Sequence, residues 1–466
     1  MRSCRARVWI GIVALAALSA ALAVPPRALA RPAQHTASEA LVRYLEREGV
    51  TRVFGVPGEE TLHIVDALRK SKKIRFVLSS NEQGASFMAT GYARATGKLG
   101  VCLSTLGPGA TNLVTGTANA LSENIKLLVI TGQGPVRRPV GYHQKLDLTR
   151  LFRPVTRLSL EARTPGSVVK TARKLVKAAH ERPGPVHLSL PADVAARSVK
   201  VAGVDRVAPA RRARPPRGRT AAATRLIKNA RFPVIVAGDG VLQERGGHNA
   251  RAVMAFARAH GIPIVPSAIA KGMFPWSNPH VLPPLDAFAK GKGADVVRKA
   301  DLIINVGYHP TETFDPARFN PGGKTRMIHL STHKLPRAHR VTGMKPQVEL
   351  VGGLVKSLGA IHRGMRGHRA PGTAMQEATD VRRQHDRDLQ RYMSSAGDAP
   401  IKPQQIMGEL RRALDAITAT NRTRKGARGS RGKTLVFGDV GLNKGMMNQW
   451  LKVGRVGEVM MPNGMS

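Results

Sequence analysis

Acidic residues are scarce in this sequence. Only 30 Asp and Glu stand against 74 Lys and Arg in 466 residues, a formal net charge of +44. Such an excess can indicate a nucleic-acid or acidic-surface partner. The basic residues are spread along the whole chain, with local concentrations at 211–219, 362–369 and 422–433. Since these segments lack aromatic residues and any nucleic-acid-reading module, we expect linkers or surface insertions with weak, non-specific binding to anionic surfaces and no specific nucleic-acid partner.

Cysteines and long apolar runs are scarce as well. Cys4 and Cys102 are the two cysteines of the chain. They allow at most one disulfide, which excludes a disulfide scaffold and a cysteine-based zinc site. No internal apolar run approaches the roughly 20 residues that a membrane-spanning helix needs.

The N-terminus has the features of a secretory signal peptide. Arg2, Arg5 and Arg7 precede an apolar stretch at 8–24, and residues 28–30 read Ala-Leu-Ala, as at a cleavage site. An uncleaved anchor and a mistaken upstream start codon are the alternatives. The apolar stretch of about 17 residues is short for an anchor.

Short apolar strands alternate with helical stretches of about ten residues along most of the chain, as in βαβ units. We predict an α/β fold with doubly wound parallel sheets. The first unit has strands at 53–56, 74–78, 101–104 and 127–131, and closes at 184–191.

A second α/β pattern starts at 232–240 and has its last visible strand at 327–330. A third unit offers one helix at 403–414 and a strand at 434–438. It is too short for a domain, so it needs a partner chain or belongs to a fragment. The predicted division of the chain is a signal-like or spurious segment at 1–34, a first domain at 35–195, a basic linker at 196–220, a middle domain at 221–362, a linker at 363–400 and the start of a third domain at 401–466.

Glu82 lies where the apolar run 74–78 gives way to a helical stretch. Carboxylates at such positions commonly cap helices, because the free N–H groups and the helix dipole stabilise negative charge. The local sequence alone therefore leaves an ordinary helix-capping role open for Glu82.

Several spaced motifs occur in a characteristic order, which is more specific than any single glycine-rich loop. They are VFGVPGEE at 53–60, NEQGASFMA at 81–89, STLGPGATNL at 104–113, TGQ at 131–133 and RPVT at 153–156. Through these motifs the chain resembles the thiamine-diphosphate-dependent enzymes, and specifically the large catalytic subunit of acetolactate synthase. The resemblance covers about 36–360, and 400–466 more loosely.

The resemblance implies three α/β domains: a pyrimidine-binding domain, a Rossmann-like middle domain and a domain that binds diphosphate and metal. It also implies thiamine diphosphate and Mg²⁺ as cofactors, 2-keto acids as substrates and a cytoplasmic location. In the family the cofactor lies between the first domain of one subunit and the third domain of another. The expected assembly is therefore a homodimer or homotetramer.

The resemblance also gives Glu82 a catalytic role. A glutamate at this place hydrogen-bonds N1′ of the aminopyrimidine and favours the tautomer that deprotonates C2 of the thiazolium ring. The implied reaction is decarboxylation of pyruvate and transfer of the remaining two-carbon unit to a second 2-keto acid. The cofactor acts as the electron sink, and the protein supplies position and proton transfer.

Four further residues of the first domain are cofactor-binding candidates on the same resemblance: Pro57, Gly58, Gly107 and Gly109. Pro57-Gly58 would turn the end of the first strand toward the pyrimidine, and the two later glycines would permit close approach of the cofactor. An ordinary Pro-Gly turn and an ordinary βα loop are the alternatives.

Other candidates lie on the substrate side and in the third unit. Gln144 corresponds to a family glutamine near the substrate, and His143 stands where many members have Phe, although it is equally an ordinary loop histidine. Gly441 and Asn443 would lie near the diphosphate.

The chain departs from the family pattern at several positions. Asn81 replaces a usual histidine, Lys145 a usual glutamate and Ser331 a usual aspartate. No FAD-binding signature is visible, so FAD is not supported. The family's metal motif would lie beyond Ser466, and no upstream residues have its spacing, so we name no metal ligand.

These departures predict a truncated, impaired enzyme that would not hold its cofactor tightly. Two alternatives remain. One is another thiamine-diphosphate decarboxylase or lyase, because the residues that select the substrate include the missing ones. The other is a non-catalytic, dimerising remnant.

Overall fold

The computed structural model describes part of the chain. The described ranges are 35–137, 141–200, 205–208, 213–242, 247–286, 291–312, 316–335, 343–394, 400–423, 434–439 and 441–461. The predicted signal segment at 1–34 lies outside them, so both location predictions stay predictions. No helix within the described ranges has the length and apolarity to cross a bilayer.

The first domain contains a parallel sheet of six strands in the order β3-β2-β4-β5-β7-β6. Its short strands β1 and β8 pair antiparallel beside the sheet. The strands are β1 His35–Thr36, β2 Arg52–Gly55, β3 Arg75–Leu78, β4 Gly100–Ser104, β5 Leu127–Gln133, β6 Ser159–Glu161, β7 Pro185–Pro191 and β8 Ser198–Val199. The helices are α1 Ala37–Arg47, α2 Leu62–Lys70, α3 Glu82–Thr96, α4 Gly107–Asn112, α5 Val114–Ser122, α6 Leu148–Phe152, α7 Val168–Glu181 and α8 Ala192–Ala196.

Helices cover both faces of this sheet, as the alternation of side chains along its strands requires. In β4, Val101 and Leu103 join a core formed with α1, α2 and α7. Cys102, between them, points to the other face and joins a second core with α3 and α5. The predicted doubly wound α/β fold is confirmed for this domain.

The middle domain has five parallel strands in the order β10-β9-β11-β12-β13. They are β9 Pro233–Ala237, β10 Ile264–Pro266, β11 Leu302–Val306, β12 Arg326–Ser331 and β13 Val348–Val351. The helices are α9 Arg217–Lys228, α10 His248–His260, α11 Lys292–Lys299 and α12 Leu354–Gly364.

Two details of the middle region differ from the sequence prediction. The strand at 327–330 is not the last one, because β13 follows it and pairs with β12. The predicted linker at 196–220 contains regular structure, because β8 pairs with β1 and α9 begins at Arg217.

The C-terminal part has three helices and two short parallel strands. They are α13 Thr373–Ser394, α14 Pro403–Thr423, β14 Val436–Phe437, α15 Leu442–Trp450 and β15 Val459–Met460. The buried Lys271 ammonium of the middle domain donates to the carbonyl of Met447, at 2.6 Å. This part therefore packs on the middle domain, and the predicted third unit at 401–466 contains a second helix, α15, besides the predicted one.

Candidate active site

Glu82 is the first residue of α3, just beyond the carboxyl end of β3. The helix is capped by Asn81, whose Oδ1 accepts a hydrogen bond of 2.6 Å from the N–H of Gly84. The capping role that the local sequence left open for Glu82 therefore belongs to Asn81. This gives Asn81, one of the departures from the family pattern, a structural function.

The half-exposed Glu82 carboxylate is held by Asn112. The Nδ2 of Asn112 donates to Oε2 of Glu82 at 3.0 Å, although the two residues lie 30 positions apart. Asn112 ends α4, which follows β4, so the loops after two strands converge at the carboxyl edge of the sheet, where α/β domains bind ligands. The sequence analysis missed Asn112, although it belongs to the STLGPGATNL motif.

The glycines of that motif let the backbone approach Glu82 closely. A Cβ on Gly109 would lie 3.2 Å from Oε1 of Glu82 and 2.9 Å from Cγ2 of Thr105. Gly107 has a φ of +56°, and a Cβ there would lie 2.6 Å from Cβ of Gln144. The structure therefore brings Gly107, Gly109 and Gln144 to the same edge as Glu82.

Pro57 and Gly58 lie at the adjacent end of β2. A Cβ on Gly58 would come within 2.4 Å of Cβ of Thr105, so only glycine fits against the loop after β4. The Thr105 hydroxyl in turn donates to Oε2 of Glu60 at 2.5 Å. The exposed Pro57 leads into this contact.

The substrate-side candidates His143 and Gln144 are both exposed. Gln144 has a φ of +56°, a left-handed conformation that is uncommon for a non-glycine residue. The ammonium of Lys145 donates to the carbonyl of Pro135 at 3.3 Å, along its own loop. Gln144 is thus packed against Gly107, while the side chain of His143 lies in solvent.

Gly441 and Asn443 lie in a different region of the chain. Gly441 has a φ of +104° and precedes α15, and Oδ1 of Asn443 accepts from the N–H of Lys444 at 2.6 Å. The C-terminal part contacts the far end of α3, where the Arg94 guanidinium donates to the carbonyl of Met461 at 2.6 Å. Arg94 lies about 18 Å from Glu82 along the helix axis. This contact does not bring the two predicted halves of the cofactor site together within one chain.

The first-domain residues fit the pyrimidine half of thiamine diphosphate. Glu82 offers an acceptor carboxylate whose Oε2 is fixed by Asn112. The glycine positions leave room beside it that a Cβ would fill. Within the described ranges, no group of three or more His, Cys, Asp or Glu is placed to hold a metal ion. Residues 462–466 lie outside the described ranges.

The middle sheet changes strand order between β9 and β11, where such folds commonly bind nucleotides. There the buried Glu312 carboxylate accepts from the N–H of Asp239 at 3.0 Å and of His309 at 2.8 Å. The protein's own carboxylate thus occupies backbone donors that could bind an anion. Burial raises the pKa of the neighbouring Asp239 to about 7. A hydrogen bond of 3.0 Å from Asn124 of the first domain has the opposite effect and lowers this pKa.

The comparisons with known proteins agree with this architecture. Residues 35–151 match the thiamine pyrophosphate enzyme N-terminal TPP binding domain, and residues 220–361 match the central domain of the same enzymes. A probable acetolactate synthase large subunit of Methanocaldococcus jannaschii is 30% identical over 429 residues, which cover 89% of this chain and 68% of that protein.

Two other relatives are more similar over shorter stretches. The acetolactate synthase large subunit of Corynebacterium glutamicum is 36% identical over 64% of this chain and 48% of its own length. A probable 2-ketoarginine decarboxylase of Pseudomonas aeruginosa is 37% identical over 60% of this chain and 49% of its own length. The chain thus spans between about half and two thirds of the relatives it matches. It belongs to the thiamine pyrophosphate enzyme family and is similar to acetolactate synthase large subunits.

Proposed function

We propose that this chain takes part in an acetolactate-synthase-type reaction. The substrates are pyruvate and a second 2-keto acid, and the reaction releases carbon dioxide and joins the remaining two-carbon unit to the second substrate. The observation that carries the proposal is the Glu82 carboxylate, fixed by Asn112 at the carboxyl edge of the first sheet. Its support is the similarity to acetolactate synthase large subunits over most of the chain.

Thiamine diphosphate supplies an electron sink for the carbanion that decarboxylation leaves. With the cofactor bound, the Glu82 carboxylate would accept a hydrogen bond from a protonated ring nitrogen and would stabilise that proton on the nitrogen. Asn112 keeps Oε2 of Glu82 in place, which would leave Oε1 for this hydrogen bond. Gly109 keeps the volume beside that second oxygen free of side-chain atoms.

We also propose that the working unit contains at least two chains. Glu82 and Asn112 lie at an exposed edge. The C-terminal part of the same chain contacts the opposite end of α3, through Arg94. A second chain would therefore supply the diphosphate side of the site. The Mg²⁺ requirement, which the resemblance implies, is part of the same proposal.

A test combines cofactor binding with product analysis. Thiamine diphosphate with Mg²⁺ should raise the thermal unfolding midpoint, because a ligand that binds only the folded state stabilises it. Incubation with pyruvate should then yield acetolactate. No stabilisation and no turnover would favour the non-catalytic alternative.

The second candidate function is that of another thiamine-diphosphate decarboxylase. It is favoured by the similarity to the P. aeruginosa protein, at 37% identity. The same assay separates the two: release of carbon dioxide with an aldehyde as the only organic product would select the decarboxylase.

A further inference from the structure

A groove of about 980 Å³ lies on the outer side of the middle domain, between α9 and α12. We call it the α9–α12 groove. Every charged residue that lines it is a cation. These residues are Arg214, Arg217, Arg225, Lys228, Lys356 and Arg363.

The groove is a fixed part of the fold. The opposite faces of its two helices pack into one core, through Ala223 and Ile227 of α9 and Leu358 and Ile361 of α12. The helices also approach closely, since a Cβ on Gly364 would lie 3.1 Å from the Thr224 side chain. The cationic side chains are therefore displayed from two helices whose relative position is set by core packing.

The segment before α9 is anchored as well. The carbonyl of Ala213 accepts a hydrogen bond of 3.3 Å from the N–H of Gly353, at the start of α12. This bond places Arg214 and Arg217 beside α12. Two basic concentrations of the sequence thus contribute to one groove, although about 150 residues separate them: Arg214 and Arg217 come from the first and Arg363 from the second.

The positive charge of the groove is largely uncompensated. Within the part of the chain that the structure describes, five of the six cations form no ion pair with a carboxylate. These five are Arg214, Arg217, Arg225, Lys228 and Arg363.

A second surface groove, between α11 and α13, is different. There Lys292 pairs with Asp388, Arg298 with Asp295, and Lys299 with Glu377. The high net charge of the chain therefore does not by itself produce a groove without carboxylates.

The side chains that line the groove indicate the chemical class of ligand that it can bind. Guanidinium groups bind phosphate oxygens bidentately, and several on one groove favour a ligand with several phosphates. Aromatic side chains, on which nucleic-acid bases stack, are absent from the described lining. The α9 rim from Arg217 to Lys228 is about 16 Å long, enough for a short chain of phosphates. We propose that the α9–α12 groove binds a small anion that carries several phosphate groups, independently of the Glu82 site.

The test is calorimetric titration of the full chain with inorganic tripolyphosphate at physiological salt. We expect one saturable site per chain. The double variant Arg225→Ala/Lys228→Ala should weaken binding about tenfold, as expected for the loss of charge-assisted hydrogen bonds. The matched control, Arg173→Ala/Lys174→Ala, removes the same charges from the exposed face of α7 and should leave the affinity within about twofold. Unchanged thermal midpoints would show that both variants fold.

Two further measurements show whether the groove or the cofactor site binds the anion, and whether a nucleobase contributes to binding. The Arg225→Ala/Lys228→Ala variant should keep the rise in thermal midpoint that thiamine diphosphate with Mg²⁺ gives the wild type, which distinguishes the groove from the cofactor site. ATP should bind no more tightly than tripolyphosphate, because the described lining of the groove has no aromatic side chain on which the base could stack. An equal loss of affinity in both double variants would assign the binding to the overall charge and overturn the proposal. Tighter binding of a single-stranded oligonucleotide in the same groove would replace it with a nucleic-acid partner.

Discussion

The Nδ2 of Asn112 lies 3.0 Å from Oε2 of Glu82, and this contact joins the loops that follow β3 and β4. A hydrogen bond to a charged acceptor contributes about 1.5–3 kcal/mol. We therefore expect Asn112→Ala to slow C2 proton exchange of bound thiamine diphosphate about tenfold, because the Glu82 carboxylate loses its fixed orientation. Exchange followed by proton NMR after acid quenching measures the effect.

The control for Asn112 is Asn112→Gln, which keeps an amide donor and should recover part of the rate. A purely structural role for Asn112 would lower the thermal midpoint of Asn112→Ala and leave exchange in the folded protein unchanged. That result would remove Asn112 from the site.

A methyl group at Gly109 should disturb the same carboxylate. In Gly109→Ala the new Cβ would lie 3.2 Å from Oε1 of Glu82 and 2.9 Å from Cγ2 of Thr105. We expect a loss of about 1–3 kcal/mol in unfolding free energy from the tight contact, together with slower C2 exchange. Gly166→Ala is the matched control, because no atom lies within 4 Å of its added Cβ. Equal behaviour of the two variants would contradict the proposed packing around Glu82.

Arg94 joins the first domain to the other two parts of the chain. Its guanidinium donates to the carbonyls of Met461 at 2.6 Å and Ile269 at 3.0 Å, and lies 3.3 Å from the buried Glu123 carboxylate. Arg94→Met should lower the unfolding free energy by about 3–5 kcal/mol, because it removes the guanidinium that lies 3.3 Å from the buried Glu123 carboxylate. Urea denaturation measures the loss.

The double variant Arg94→Met/Glu123→Gln should be more stable than Arg94→Met alone, since it removes that charge. If the double variant is the less stable of the two, groups other than Arg94 stabilise the Glu123 carboxylate, and the expected cost of its charge is contradicted.

Asp239 should make the stability of the protein depend on pH. Burial raises its pKa to about 7, above the ordinary value of about 4. Between these values the folded state binds more protons than the unfolded state, so the contribution of Asp239 to stability falls as pH rises from about 4 to 7 and is level above that. Asp239→Asn should therefore gain stability relative to the wild type across this window, with a slope of at most about 1.4 kcal/mol per pH unit.

Other buried groups change the stability of the protein with pH in the opposite direction. The effect of Asp239 is therefore the difference between Asp239→Asn and the wild type. Burial lowers the pKa of His187 to about 3, so its contribution to stability is lost as pH falls through the acidic range. Parallel stability curves for Asp239→Asn and the wild type would show that Asp239 is not the group that takes up the proton.

The sequence motifs and the resemblance they carry pointed to Glu82, Gly107 and Gly109, and the structure places all three at the carboxyl edge of the first sheet. Their role at the cofactor stays a prediction. Asn112 could not be found in this way, since its contact with Glu82 depends on the strand order, in which β2 lies between β3 and β4. Strand β13 was missed because Glu349 interrupts its apolar pattern. That carboxylate is buried and accepts from the N–H of Leu335 at 2.6 Å, which satisfies it inside the domain.

The α9–α12 groove could not be predicted from the two basic segments that contribute to it. Each reads as a linker by composition, because Arg, Pro and Gly carry no helical or strand periodicity. Only the packing of α9 against α12 brings them to one surface, and that packing depends on the buried residues between them.

We propose that Glu82 controls proton transfer at the cofactor, and C2 hydrogen–deuterium exchange in Glu82→Gln measures this role. The wild type with thiamine diphosphate and Mg²⁺ should exchange this proton faster than the free cofactor. Glu82→Gln should slow the exchange by about a hundredfold or more. The control Glu181→Gln, on the exposed end of α7, should match the wild type. Exchange at the wild-type rate in Glu82→Gln, or no acceleration by the wild type, would contradict the claim.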